Sequence, residues 1–66
     1  MLTDYMRIER LGNGTLDGIA GTIYKVYEFD GRRHAWVLSG TSVVRGNNRS
    51  DEECAQHWVS RKAQTA

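Results

Sequence analysis

Apolar and polar positions alternate at strand period through most of the first 45 residues, and a helical pattern follows. Tyr5-Met6-Arg7-Ile8-Glu9-Arg10-Leu11 reads as a strand with Met6, Ile8 and Arg10 on one side. A helix over residues 4–11 behind a Thr3 cap is the competing reading. Asn13-Gly14 is a type I′ turn signal that predicts a hairpin with Leu11 opposite Leu16, Arg10 opposite Asp17 and Ile8 opposite Ile19. The next strand is expected from Leu16 to Phe29, with Gly18 and Gly21 as the places where it bends.

The best-marked stretch is residues 21–40, where two runs of β-branched and aromatic residues flank Asp30-Gly31. A two-residue turn there sets Phe29 opposite Arg32, Glu28 opposite Arg33, Lys25 opposite Trp36 and Tyr24 opposite Val37. Ser39-Gly40-Thr41 reads as a third turn and Ser42-Val43-Val44-Arg45 as a short fourth strand at the sheet edge. After a loop at residues 46–49, Ser50 and Glu53 form a capping-box pattern, with three acidic residues beside the positive helix end. The helix is expected to reach about Lys62 and to bury Cys54, Ala55, Trp58 and Val59, with the residues beyond it fraying.

These elements predict an α+β fold: a four-stranded antiparallel β-meander followed by one C-terminal α-helix packed on one face, ββββα, with residues 1–66 as a single small domain. In that register Met6, Ile8, Ile19, Ile23, Tyr27, Phe29, Trp36 and Leu38 line the core. Tyr24, Val26, Ala35 and Val37 lie on the uncovered face, flanked by Arg7, Glu28 and Arg33. One pair resists it: Lys25 opposite Trp36 puts an ammonium at the margin of a dry core.

Length makes the core thin, because a chain of 66 residues hides only about 60% of its unfolded surface. The single cysteine, Cys54, forms no internal disulfide, and a lone thiol suits a reducing, cytoplasmic compartment. No apolar run has the length of a membrane span and no signal-peptide pattern is present, so no membrane association is expected. The formal net charge is +1. Charge is concentrated in residues 18–50, where Lys25, Arg32, Arg33, Arg45 and Arg49 outnumber Glu28 and Asp30.

Catalytic and metal signatures are missing. Cys54 and His57 fall at i and i+3 on the helix, but a structural zinc site needs two further tightly paired ligands, and only His34 and carboxylates remain. Carboxylates beside Cys54 oppose a reactive thiolate. Ser, His and Asp occur without a nucleophile elbow, and Gly12-Asn13-Gly14 does not lead into a helix as a phosphate loop does. The chain therefore reads as a non-enzymatic binding protein with no cofactor and no metal.

Its clustered polar residues are Arg32, Arg33 and His34 at the hairpin tip and Arg45, Asn47, Asn48 and Arg49 in the following loop. Together with Tyr24 and Val37 on the uncovered face, Arg32, Arg33, Arg45, Asn47 and Arg49 are the expected partner-binding residues. A homodimer joining the uncovered face or the short fourth strand to its copy would address the thin core.

The order of curved antiparallel strands and capped helix, closing on VVRGNNRSDEECAQHWVSRKA, resembles two groups. One is the three-stranded-sheet-plus-helix DNA-binding domains of phage integrases and plant transcription factors, whose sheet lies in the major groove. The other is the very small sheet-and-helix proteins of bacteriophages, including anti-CRISPR proteins, which cover a surface of a host defence complex. The second resemblance implies a phage-type inhibitor bound to a host protein or nucleoprotein complex. The first implies a small DNA-binding regulator that reads through the basic face. The near-balanced charge favours protein recognition.

Overall fold

A computed structural model describes residues 5–65 of the chain. Its elements are β1 (Met6–Leu16), β2 (Ile19–Asp30), β3 (Ala35–Arg45) and α1 (Asp51–Thr65). The strands form one antiparallel sheet in the order β1-β2-β3. The class is α+β, as expected, with three strands in place of four. Thr3 and Asp4, the start of the alternative helix, lie outside the described residues, and from Met6 onward the segment is strand.

The first turn falls at Asp17-Gly18, not Asn13-Gly14. Asp17 and Gly18 both take positive φ, 52° and 80°, as a two-residue type I′ loop requires, and Leu16 faces Ile19 across it. Asn13 and Gly14 instead lie inside the ladder, opposite Thr22 and Gly21. The expected pairs of Ile8 with Ile19 and Leu11 with Leu16 give way to Ile8 opposite Val26, and Leu11 stands out as a bulge between Arg10 and Gly12.

The second connection is also longer than expected. Asp30 faces Ala35, leaving residues 31–34 as a four-residue loop in place of the Asp30-Gly31 turn. The Asp30 carboxylate accepts the Arg32 backbone N–H at 3.0 Å, and His34 takes φ 51° to bring the chain back. Phe29 therefore faces Trp36, and Glu28 faces Val37 rather than Arg33. β3 continues through Ser39-Gly40-Thr41, so residues 42–45 are its far end and not a fourth strand.

A second bulge sets the parity of β3. Tyr27 faces Leu38 but Val26 faces Gly40, so Ser39 is the extra residue and the side chains beyond it change sides. The side against the helix holds Met6, Ile8 and Arg10 of β1, Thr22, Tyr24 and Val26 of β2, and Gly40, Ser42 and Val44 of β3. The bulge at Leu11 puts Ile8 opposite Val26 and Arg10 opposite Tyr24, so the core expectation for β2 is inverted. Tyr24 and Val26, assigned to the uncovered face, are both 0% exposed, whereas Tyr27, Phe29, Trp36 and Leu38, assigned to the core, lie on the side the helix does not reach. Met6 and Ile8 are where the alternation puts them.

The helix begins as its sequence predicts. The Ser50 hydroxyl accepts the Glu53 N–H at 3.2 Å while the Glu53 carboxylate accepts the Ser50 N–H at 3.2 Å, a complete capping box. The loop before it is pinned to the sheet: the Thr22 hydroxyl donates to the Gly46 carbonyl at 2.8 Å and accepts the Arg49 N–H at 3.0 Å, and Asn13 accepts the Asn48 N–H at 2.8 Å. A 2.7 Å ion pair from Arg10 to Asp51 ties the first turn of α1 to β1.

On the buried side of α1, Cys54 and Ala55 are 0% exposed and Trp58 packs beside them, but Val59 is 53% exposed and contributes nothing to the core. Small residues at positions 54 and 55 let the helix lie close to the sheet, and Gly40 leaves the space that the Trp58 ring fills. α1 extends three residues past Lys62, and among the described residues no helix is long and apolar enough to cross a membrane.

A Cβ at position 40 would stand 2.6 Å from Cη2 of Trp58. Gly40→Ala is expected to push the ring off the sheet and to destabilise the domain by about 1–3 kcal/mol, read as a lower urea midpoint.

Candidate binding face and the seam beneath the helix

The seven residues expected to bind a partner do not form one site. Tyr24 lies fully under α1, out of a partner's reach. Arg32 and Arg33 are exposed in the loop at residues 31–34, with Arg33 3.6 Å from Asp30 and its side chain 75% exposed. Val37 is partly exposed opposite Glu28, on the helix side of the sheet but toward its edge. Arg45, Asn47 and Arg49 sit at the opposite end of β3, and a strand of 11 residues separates the two ends by about 35 Å.

Within that far group Arg49 is a strut. Its Nε donates to the Arg45 carbonyl at 3.0 Å, its Nη1 contacts Glu53 at 3.0 Å, and its own carbonyl accepts from Arg10 at 3.0 Å. The Glu53 carboxyl is held below the usual carboxylate range first by its bond to the Ser50 backbone and then by Arg49. These contacts order the entry to α1.

The structure assembles a different set on the uncovered side. Arg7 and Glu9 of β1, Lys25, Tyr27 and Phe29 of β2, and Trp36 and Leu38 of β3 share that face. The Arg7 guanidinium lies 4.1 Å above the Trp36 ring, a cation–π contact, and Phe29 meets the same ring edge-on at 5.5 Å between centroids. The Tyr27 hydroxyl donates to Glu9 at 3.1 Å, and this bond is the main reason its pKa is raised. Arg7, Ile8, Glu9, Tyr27 and Trp36 line a shallow groove of about 390 Å³. Lys25 faces Glu9 and Thr41 at this surface, which removes its conflict with a dry core.

A polar seam closes the other side. The Tyr24 hydroxyl meets His57 Nδ1 at 2.6 Å, and the rings lie edge to face. Arg61 donates to the Ser42 hydroxyl. Burial raises the Tyr24 pKa, and burial followed by the Arg61 charge lowers that of His57. Cys54, one turn earlier, is fully buried, and burial ahead of Asp51 raises its pKa, so the thiol is an inert packing group. Among the described residues no group of three or more His, Cys, Asp or Glu side chains is arranged to hold a metal.

The seam makes stability depend on pH through His57. Its folded-state pKa lies below the ordinary value of about 6.5, so the unfolded chain takes up the proton first as pH falls. The stability that neutral His57 contributes is present above about pH 6.5 and is lost on acidification through the lower folded pKa. Comparing urea midpoints at about pH 7.5 and about pH 5.5, the wild type is expected to lose more stability than His57→Gln, which does not titrate there. Tyr24→Phe, which leaves His57 without this partner, is expected to cost about 1 kcal/mol at pH ~7.5.

No protein-family model matches the chain, no curated protein matches its sequence, and no solved structure matches it.

Proposed function

We propose that this chain is a non-enzymatic binding module that takes a protein surface on the sheet face opposite α1. The observation that carries the reading is the cluster of exposed Arg7 and Phe29 around half-buried Trp36, with Tyr27 and Glu9 beside it, on the side of the sheet that no helix of the described residues covers. Trp, Tyr and Arg are the residue types that dominate binding energy at protein interfaces, and here they border a groove wide enough to seat a partner's side chain. A strand-borne cluster is also held in position before binding, which lowers the ordering cost. The narrower form of this function is an inhibitor that covers a surface of a host defence protein, in the manner of the small phage proteins the chain resembles in size.

A second reading has its own support. Three strands and a helix, rather than four strands, is the element order of the sheet-plus-helix DNA-binding domains, and Arg7, Lys25, Arg32 and Arg33 supply basic groups on or beside the open face. A β-sheet can enter the major groove and read base edges there.

Capture from bacterial lysate with wild type and Trp36→Ala as parallel baits tests the first reading. The expected result is a stoichiometric protein partner retained by wild type and lost with Trp36→Ala or Arg7→Glu. Arg45→Glu, at the other end of the sheet, should change the affinity by less than about twofold. Equal recovery by wild type and Trp36→Ala would place the interface elsewhere. Retention on duplex DNA that falls steeply with salt would favour the DNA reading, whereas no retention at low salt would remove it.

A further inference from the structure

Asp17 and Arg61 carry opposite charges and line one cavity, yet they do not pair with each other. The cavity, about 270 Å³, lies where the β1–β2 turn, the far part of β3 and the second half of α1 come together. Asp17, Thr41 and Arg61 are exposed, whereas Ser42 and Val43 are buried, so the charges stand at its mouth and its base is closed. Leu16, Ile19 and Val43 give it an apolar wall.

Neither charge is used up by the fold. Among the described residues Asp17 makes no ion pair and its carboxylate no hydrogen bond. Its turn asks for positive φ, which Asn or Gly supplies without a charge. Arg61 donates to the Ser42 hydroxyl and has no carboxylate partner, so most of its five N–H donors remain. An anion in the cavity would be repelled by Asp17 and a cation by Arg61. A small molecule that carries both charges satisfies both walls.

We propose that this cavity binds a free α-amino acid with an aliphatic side chain. The carboxylate takes the donor fork of Arg61, the ammonium takes Asp17 and the Thr41 hydroxyl, and the side chain lies against Leu16, Ile19 and Val43. His57 also lines the cavity, but it stays neutral at pH ~7.5 with Nδ1 on the Tyr24 hydroxyl, so one positive and one negative wall remain. A chain terminus presents only one of the two charges, which is why the ligand is a free amino acid. The volume lies just under the ~300–1,000 Å³ of ordinary ligand pockets, in keeping with so small an occupant. This site shares no residue with the groove beside Trp36, and the two stand or fall separately.

Titrating isotope-labelled protein with L-leucine at pH ~7.5 should shift the amide resonances around the cavity with a dissociation constant of about 1 mM, a reasonable affinity for a ligand of this size. Isocaproate, which lacks the ammonium, and isopentylamine, which lacks the carboxylate, should each bind about tenfold more weakly or less, as should glycine, which has no side chain to bury. Asp17→Asn, which keeps a residue suited to positive φ, should weaken leucine about tenfold and strengthen isocaproate. Arg61→Gln should weaken leucine and strengthen isopentylamine. The Asp17 arm lies in an exposed turn, so it decides the matter even where losing the Arg61–Ser42 bond loosens α1. An absence of shifts around the cavity at ~20 mM leucine overturns the proposal, as does binding of either one-charge analogue as tight as that of leucine.

Discussion

A single helix laid on one side of a three-stranded sheet divides this molecule in two, and nearly every other feature follows from which residues fall beneath it. α1 reaches the sheet through Cys54 and Ala55, both fully buried and both small, so Tyr24 and Val26 of the central strand can close completely against it. Trp58 then has room only over Gly40, where no side chain stands. Since strand side chains alternate, burying the even positions of β2 obliges Lys25, Tyr27 and Phe29 to face outward. The open aromatic face is a consequence of how the helix is seated.

Polar contacts surround the small apolar seat. The fully buried apolar set is small, and around it lie the Tyr24–His57 contact, the Arg61–Ser42 bond, the Arg10–Asp51 pair and the Thr22 and Asn13 contacts that fix the loop into α1. The Arg10–Asp51 and Asn13–Asn48 contacts are exposed and contribute little. The Tyr24–His57, Arg61–Ser42 and Thr22–Arg49 bonds are partly buried, where a group left unpaired is costly, so misplacing the helix by one turn is disfavoured. Among the described residues the exception is Trp58 Nε1, which is buried without a partner. The Trp58 ring is accommodated for its fit over Gly40 and not for its polar atom.

Local signals in the sequence identify the element types and the start of the helix, because the Ser50–Glu53 box and the alternation through Met6, Ile8 and Arg10 depend only on near neighbours. Register is not local. Asn13-Gly14 and Asp17-Gly18 are both good type I′ dipeptides; Asp17-Gly18 makes the turn while Asn13 is engaged by Asn48, and the bulge at Leu11 then brings Tyr24 and Val26 to the side of Met6 and Ile8. The bulge at Ser39 inverts the parity of β3 partway along, which no periodicity anticipates, and Gly40 reads as a turn when its use is to admit Trp58. The candidate site suffers for the same reason: period-two alternation names two faces without saying which one the helix takes. One signal in the sequence points to the open face: a lysine at position 25 fits poorly in a dry core, and in the structure Lys25 stands on the open face between Glu9 and Thr41.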